Sequence, residues 1–156
     1  MRSLLLKFSL LTVAVAMQLP AADLNLGTWK LDTTKSKYNP GPAPKSATNV
    51  STADGDWVVS KNEGVAADGK ATSNSQRYKR DGNQYPWNTT DGTGKTTVSM
   101  KQIDDHHTSG TLTRDGKVVS TFKATISKDG KTRTLTSSGT NTDGKKFSNV
   151  VVYTRQ

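Results

Sequence analysis

Residues 113–155 read TRDGKVVSTFKATISKDGKTRTLTSSGTNTDGKKFSNVVVYTR, and three Asp-Gly pairs in this stretch fall 14 residues apart: Asp115-Gly116, Asp129-Gly130 and Asp143-Gly144. Asp-Gly supplies the positive φ angles that a tight hairpin turn needs. The segments between the pairs alternate as strands do. Residues 117–127 place Val118, Phe122, Ala124 and Ile126 on one face, with Val119, Thr121, Lys123 and Thr125 on the other. Residues 145–154 place Phe147, Val151 and Tyr153 opposite Lys146, Val150, Val152 and Thr154. A side-chain period of two is a strand pattern, so this stretch is a run of antiparallel hairpins.

The same pattern extends towards the N-terminus. Four more Asp-Gly pairs start at Asp54, Asp68, Asp81 and Asp91, and the polar run Asp104-Asp105-His106-His107 fills the gap in the series. Residues 56–65 set Trp57, Val59 and Val65 opposite Asp56, Ser60 and Asn62. No window carries an apolar stripe at helical spacing. The expected strands are 25–32, 46–53, 56–64, 71–80, 84–90, 95–103, 107–114, 117–127, 131–140 and 145–154. Pro86 cannot donate to a ladder and suits an unpaired edge. Residues Lys35–Lys45, with Pro40, Pro42 and Pro44, read as a long irregular connection. The expected fold is therefore all-β: an antiparallel up-and-down meander of about ten strands, closed into a barrel that hides its edges. A barrel of that size encloses a cavity.

Composition narrows the classes. The chain has 156 residues, no cysteine, 31% apolar residues and a formal charge of +9. Residues 1–22 combine Arg2 and Lys7 with an apolar run and end in Pro20-Ala21-Ala22, which reads as an export signal too short to span a membrane. Residues 23–156 then form one lipocalin-like barrel domain, in the periplasm or secreted. Without cysteine there is no disulfide framework, thiol catalysis or Cys-ligated metal. The low apolar content fits an interior that holds water and ligand.

The two ends of this domain carry a resemblance. Gly27-Thr28-Trp29-Lys30-Leu31 opens the first strand and Val152-Tyr153-Thr154-Arg155 closes the last. They resemble the calycin superfamily of lipocalins, fatty-acid-binding proteins and avidins, and also short secreted bacterial proteins. In that superfamily a Gly-x-Trp packs against a late basic residue and closes the barrel floor. The resemblance gives those parts to Gly27, Trp29 and Arg155. The opening motif and strand number are most similar to fatty-acid-binding proteins. Those proteins insert a helical lid after the first strand, whereas residues 35–45 suit helices poorly. They also carry Arg-x-Tyr on the last strand to hold a carboxylate. Here Val151 stands in place of that arginine, and only Tyr153 matches.

Alternation through successive turns assigns each turn to one end of the barrel. Residues 33–45 and the turns near 68, 92, 115 and 143 share an end rich in Lys35, Lys37, Lys117, Lys145 and Lys146. This is a candidate basic portal that attracts anions, although Asp-Gly-Lys is also ordinary hairpin chemistry. Inside, Phe122 and Tyr153 face the cavity. If Leu112 and Leu135 point inward, Arg114 and Arg133 follow and become candidate anion anchors; the alternative places both at strand ends in solvent. Tyr85 and Trp87 are candidates to line an opening.

Other chemistries are less well supplied. His106 and His107 point to opposite faces of a strand, which makes a poor chelate. No metal or other cofactor is expected, and there is no hydrolase elbow, zinc motif or complete phosphate loop. The lysines are scattered over turns, without the aromatic-studded face of a nucleic-acid binder. Strands 71–80 and 131–140 lack the outward apolar band of a membrane-spanning barrel. The expected function is an exported, non-catalytic, monomeric module for a small hydrophobic or amphiphilic ligand, anionic in the favoured case. The alternative is an envelope protein whose basic barrel end contacts anionic polymers or surfaces.

Overall fold

The computed structural model describes residues 23–88 and 95–156; the expected export signal and the Asp91-Gly92 turn lie outside them. The described residues form eleven strands and no helix: β1 (Gly27–Leu31), β2 (Lys37–Asn39), β3 (Ser46–Asp54), β4 (Trp57–Val65), β5 (Ala71–Tyr78), β6 (Asp81–Pro86), β7 (Thr96–Gln102), β8 (His107–Arg114), β9 (Lys117–Ile126), β10 (Thr132–Thr140) and β11 (Lys146–Arg155). Ten of them build one antiparallel meander in the order β5-β4-β3-β1-β11-β10-β9-β8-β7-β6. The first and last strands join, with Trp29 opposite Arg155 and Leu31 opposite Tyr153.

The barrel is nearly closed. Its two edges, β5 and β6, lie side by side without a backbone ladder. Gln76, 2% exposed, bridges that seam. Its Nε2 donates to the Asn88 carbonyl at 2.6 Å, and its Oε1 accepts from the Asn88 N–H at 3.0 Å. One side chain thus makes the pair of bonds that a neighbouring strand would make.

Three expectations need correction. Residues 35–45 are not wholly irregular: β2 pairs with Ser148–Val150 of β11. The turn before it forms because Asp32 Oδ1 accepts from the Thr34 and Lys35 N–H groups and from the Thr34 hydroxyl. These bonds, the Thr34 hydroxyl first, hold the Asp32 carboxyl down at about 2. Second, Asp81-Gly82 is not a turn. The chain reverses at residues 79–80, and Gly82 (φ +88°) absorbs a register shift inside β6, which therefore starts three residues before the expected strand. Third, Val118 is 62% exposed rather than inward, because Leu112 pairs with Ser120 while Thr113 pairs with Val118. The extra residue between them breaks the alternation. In β4 the face carrying Ser60 and Asn62 turns inward with Val58, while Trp57 stacks under Arg77 and Lys79, at 4.1 and 5.1 Å.

Gly27 is fixed by backbone and neighbour together. Its φ is +106°, and a Cβ there would lie 2.7 Å from Arg155 Nη1. Gly27→Ala is expected to destabilise the fold by roughly 1–3 kcal/mol. The readout is a lower urea midpoint at unchanged slope; an unchanged midpoint would refute the constraint.

Candidate functional site

The barrel encloses a cavity of about 340 Å³. One wall is mainly apolar: Val98 and Met100 from β7, Leu112 from β8, Phe122 from β9, Leu135 from β10 and Phe147 from β11, with the hydroxyls of Thr108, Ser120 and Ser137 among them. Gly110 permits this wall, since a Cβ there would lie 2.4 Å from Phe122 Cζ. The facing wall is polar: Asn49 and Ser51 from β3, with Ser60 and Asn62 from β4. Tyr78 and Trp87 line the cavity beside the β5–β6 seam, their ring centres 6.0 Å apart. A wider depression of about 550 Å³ lies on the outer face of β7–β10, lined largely by hydroxyls and lysines. It lacks an apolar wall of this kind.

The floor is built on Trp29, which is fully buried. Arg155 lies over its ring at 4.3 Å and donates to the carbonyls of Leu26 (2.8 Å), Gly130 (2.8 Å) and Leu24. That guanidinium ties the first strand, the β9–β10 turn and the N-terminal segment together. On the cavity side Arg133 stacks on both Trp29 (4.8 Å) and Tyr153 (4.9 Å). Arg133 and Tyr153 are direct cross-strand partners.

Two arginines line the cavity, and their environments differ. Arg80 is paired with Asp23, Nη1 to Oδ1 at 3.1 Å and Nη2 to Oδ2 in closer contact. Arg133 donates to Asn49 Oδ1 at 2.9 Å, and no carboxylate lies within ion-pair distance of it among the described residues. Burial pulls its pKa below the ordinary guanidinium value, yet a guanidinium stays charged in a protein. Burial also pushes the phenols of Tyr78 and Tyr153 up, so both remain neutral hydroxyls near that cation.

Burial alone would raise the Asp23 carboxyl. Hydrogen bonds from Arg80 and the Asn25 N–H, together with the Arg80 charge, outweigh it and hold the group below 3.8. The folded value is the lower one, so this stabilisation is complete above the unfolded value and is lost as pH falls through the folded one. The stability difference between the unmodified chain and Arg80→Met should therefore shrink below pH 3.8. A difference in urea midpoints that stays constant into strong acid would refute the pairing.

The other sequence candidates are placed as follows. Phe122, Arg133, Tyr153 and Trp87 line the cavity; Arg114 and Tyr85 do not. Arg114 stands at the end of β8, opposite Thr96 and Lys117. Tyr85 donates to Asp81 at 2.7 Å and meets Trp57 edge-on at 5.2 Å. Lys35, Lys37, Lys117, Lys145 and Lys146 are exposed at the barrel end opposite the Trp29 floor, and Lys35 pairs with Asp32 at 3.2 Å. His106 Nδ1 lies 3.0 Å from the Ile126 carbonyl and His107 Nδ1 2.8 Å from Asp104 Oδ1. No metal-ligand cluster occurs among the described residues. The Asn–Ser wall and Arg80 were not anticipated; asparagines at cross-strand positions were the available signal.

No known protein family matches the chain, and no curated protein matches it in sequence. Solved structures do match. A Schistosoma mansoni fatty-acid-binding protein in complex with arachidonic acid superposes with a TM-score of 0.60 at 15% identity, over 85% of this chain and 96% of that one. A zebrafish ileal bile-acid-binding protein with cholic acid gives 0.56 at 14%, over 85% and 99%. The extracellular fatty-acid-binding protein As-p18 gives 0.53 at 15%, over 86% and 97%. The chain thus shares the antiparallel barrel fold of these binding proteins.

Proposed function

We propose that this chain is an exported, non-catalytic carrier that holds a small amphiphilic anion inside its barrel. The observation that carries the reading is Arg133, a cation enclosed beside a mainly apolar wall with no carboxylate partner among the described residues. A charge kept out of bulk water without a counter-ion is costly. An anionic head group between Arg133 and the Tyr153 hydroxyl would offset that cost, with its hydrocarbon against Phe122, Leu135 and Phe147. The arginine absent from position 151 is thereby replaced from the neighbouring strand. Barrels of this fold that hold fatty or bile acids lend the reading support. Native mass spectrometry of the protein taken from its host's envelope tests it. A small acid lost on denaturation is expected. A clean apo mass, together with no displacement of an anionic fluorophore by palmitate or cholate, would sink the proposal.

The exposed lysines at the opposite end support a portal that steers anions. Charge reversal at Lys117, Lys145 and Lys146 together should slow association at low salt by about tenfold or less and leave dissociation nearly unchanged. An effect on dissociation alone would place the contact elsewhere. The same lysines support the second reading, contact with an anionic envelope surface. Binding of anionic vesicles that vanishes with salt, in a chain whose cavity takes no ligand, would favour it.

A further inference from the structure

We infer that the cavity's occupant is a facially amphipathic anion, with hydrocarbon along one face and oxygen acceptors along the other. The inference rests on the anion-carrier reading and narrows it. Asn49, Asn62 and Asn74 stand opposite one another on β3, β4 and β5. Arg133 Nη2 donates to Asn49 Oδ1 at 2.9 Å. A guanidinium has no acceptor, so this bond fixes the Asn49 amide with its nitrogen pointing away. That nitrogen donates to Ser60 Oγ at 2.7 Å and Asn62 Oδ1 at 2.9 Å, and Asn62 Nδ2 donates to Asn74 Oδ1 at 2.9 Å. The amides are thus oriented in one sense, over two strand spacings or about 10 Å.

Such a polarised chain has surplus donors. Each terminal amide brings two N–H groups. Asn62 uses one of them within the chain, and Asn74 ends the chain with its own amide nitrogen. Asn25, which also lines the cavity, has a buried Nδ2 with no acceptor among the described residues. Arg133 adds its remaining N–H groups. The wall therefore favours ligand oxygen atoms that accept. The opposite wall, from Val98 to Phe147, is mainly hydrocarbon, interrupted by the hydroxyls of Thr108, Ser120 and Ser137. A plain alkyl chain would satisfy the second wall and leave the first to water. A ligand with carbonyl or hydroxyl oxygens along one edge satisfies both.

Calorimetric titration of the delipidated chain with cholate, lithocholate and palmitate tests this. Lithocholate keeps the skeleton and carboxylate of cholate but has fewer hydroxyls. Cholate is expected to bind at least about tenfold tighter than lithocholate, the scale of one buried hydrogen bond gained. Asn62→Leu should bring that ratio close to unity. Asn74→Leu, at a half-exposed position where folding is at less risk, should narrow it in the same direction. Equal affinities for the two steroids, with palmitate bound as well, would overturn the inference and leave the carrier reading standing. Failure of all three acids to bind would overturn both.

Discussion

Trp29→Ala should lower the unfolding free energy by about 3–5 kcal/mol, the largest stability loss expected from any single truncation in this chain. The ring is fully buried on β1, between β3 and β11, where the ends of the chain meet. Its faces carry two guanidinium groups, Arg155 at 4.3 Å and Arg133 at 4.8 Å, and its Nε1 donates to the Asn25 carbonyl at 3.3 Å. Truncation removes the hydrocarbon and both stacks, each worth roughly 0.5–2 kcal/mol. It also frees Arg155 from the surface against which it holds three backbone carbonyls. These losses share partners and do not add. Domains of this kind have only about 5–15 kcal/mol in hand, so the variant should be marginal. Trp29→Phe keeps a ring under both cations and loses the N–H bond, so its loss should be clearly smaller. Urea unfolding of the three chains decides: a loss under about 1 kcal/mol for Trp29→Ala would show that the strand ladder alone closes the barrel.

The turns made the strands legible. Each Asp-Gly in a described hairpin from Asp54 to Asp143 falls where the meander reverses, apart from Asp81-Gly82. That pair shows the limit of the signal. A glycine at positive φ also serves a bulge, and Gly82 takes up a register shift instead of a turn. The closing pair Trp29–Arg155 was legible through the resemblance that Gly27-Thr28-Trp29 and the terminal-strand Arg155 carry. Facing was harder. Alternation tells which residues share a face but not which face is inside, and the usual tie-breaker is apolarity. In β3, β4 and β5 that tie-breaker fails, because the inner face carries asparagine, serine and glutamine. Trp57 and Val59 lie on the outer face, where Arg77 and Lys79 cover the tryptophan ring. The polar wall did leave a trace in the sequence. Reflecting Asn62 through the turns on either side of β4 lands on Asn49 and on Asn74. Parity also fails across a bulge, which is why Phe122 was reachable by counting while Val118 was not.

Arg133→Met should separate stability from function. Methionine keeps the length and the packing against Trp29 and Tyr153 but removes the charge. In the empty barrel the charge is a burden: the guanidinium is partly desolvated, it donates to a neutral amide, and its stacks offset only part of the cost. The apo variant should therefore be as stable as the unmodified chain or more so, within about 1 kcal/mol. Asn49 Oδ1 keeps the Ser51 hydroxyl as a donor at 3.2 Å, so no acceptor is orphaned. Binding should behave in the opposite way. Losing an enclosed charge-assisted contact costs about 2–5 kcal/mol, so affinity for palmitate or cholate should fall by roughly 30-fold or more. Arg133→Lys restores the charge as a point without the planar fork that stacks and reaches Asn49, so it should recover part of the affinity. A destabilised Arg133→Met that still binds acids normally would assign Arg133 to the architecture of the floor. A stable variant blind to acids would mean that the barrel carries an unbalanced cation because its ligand completes it.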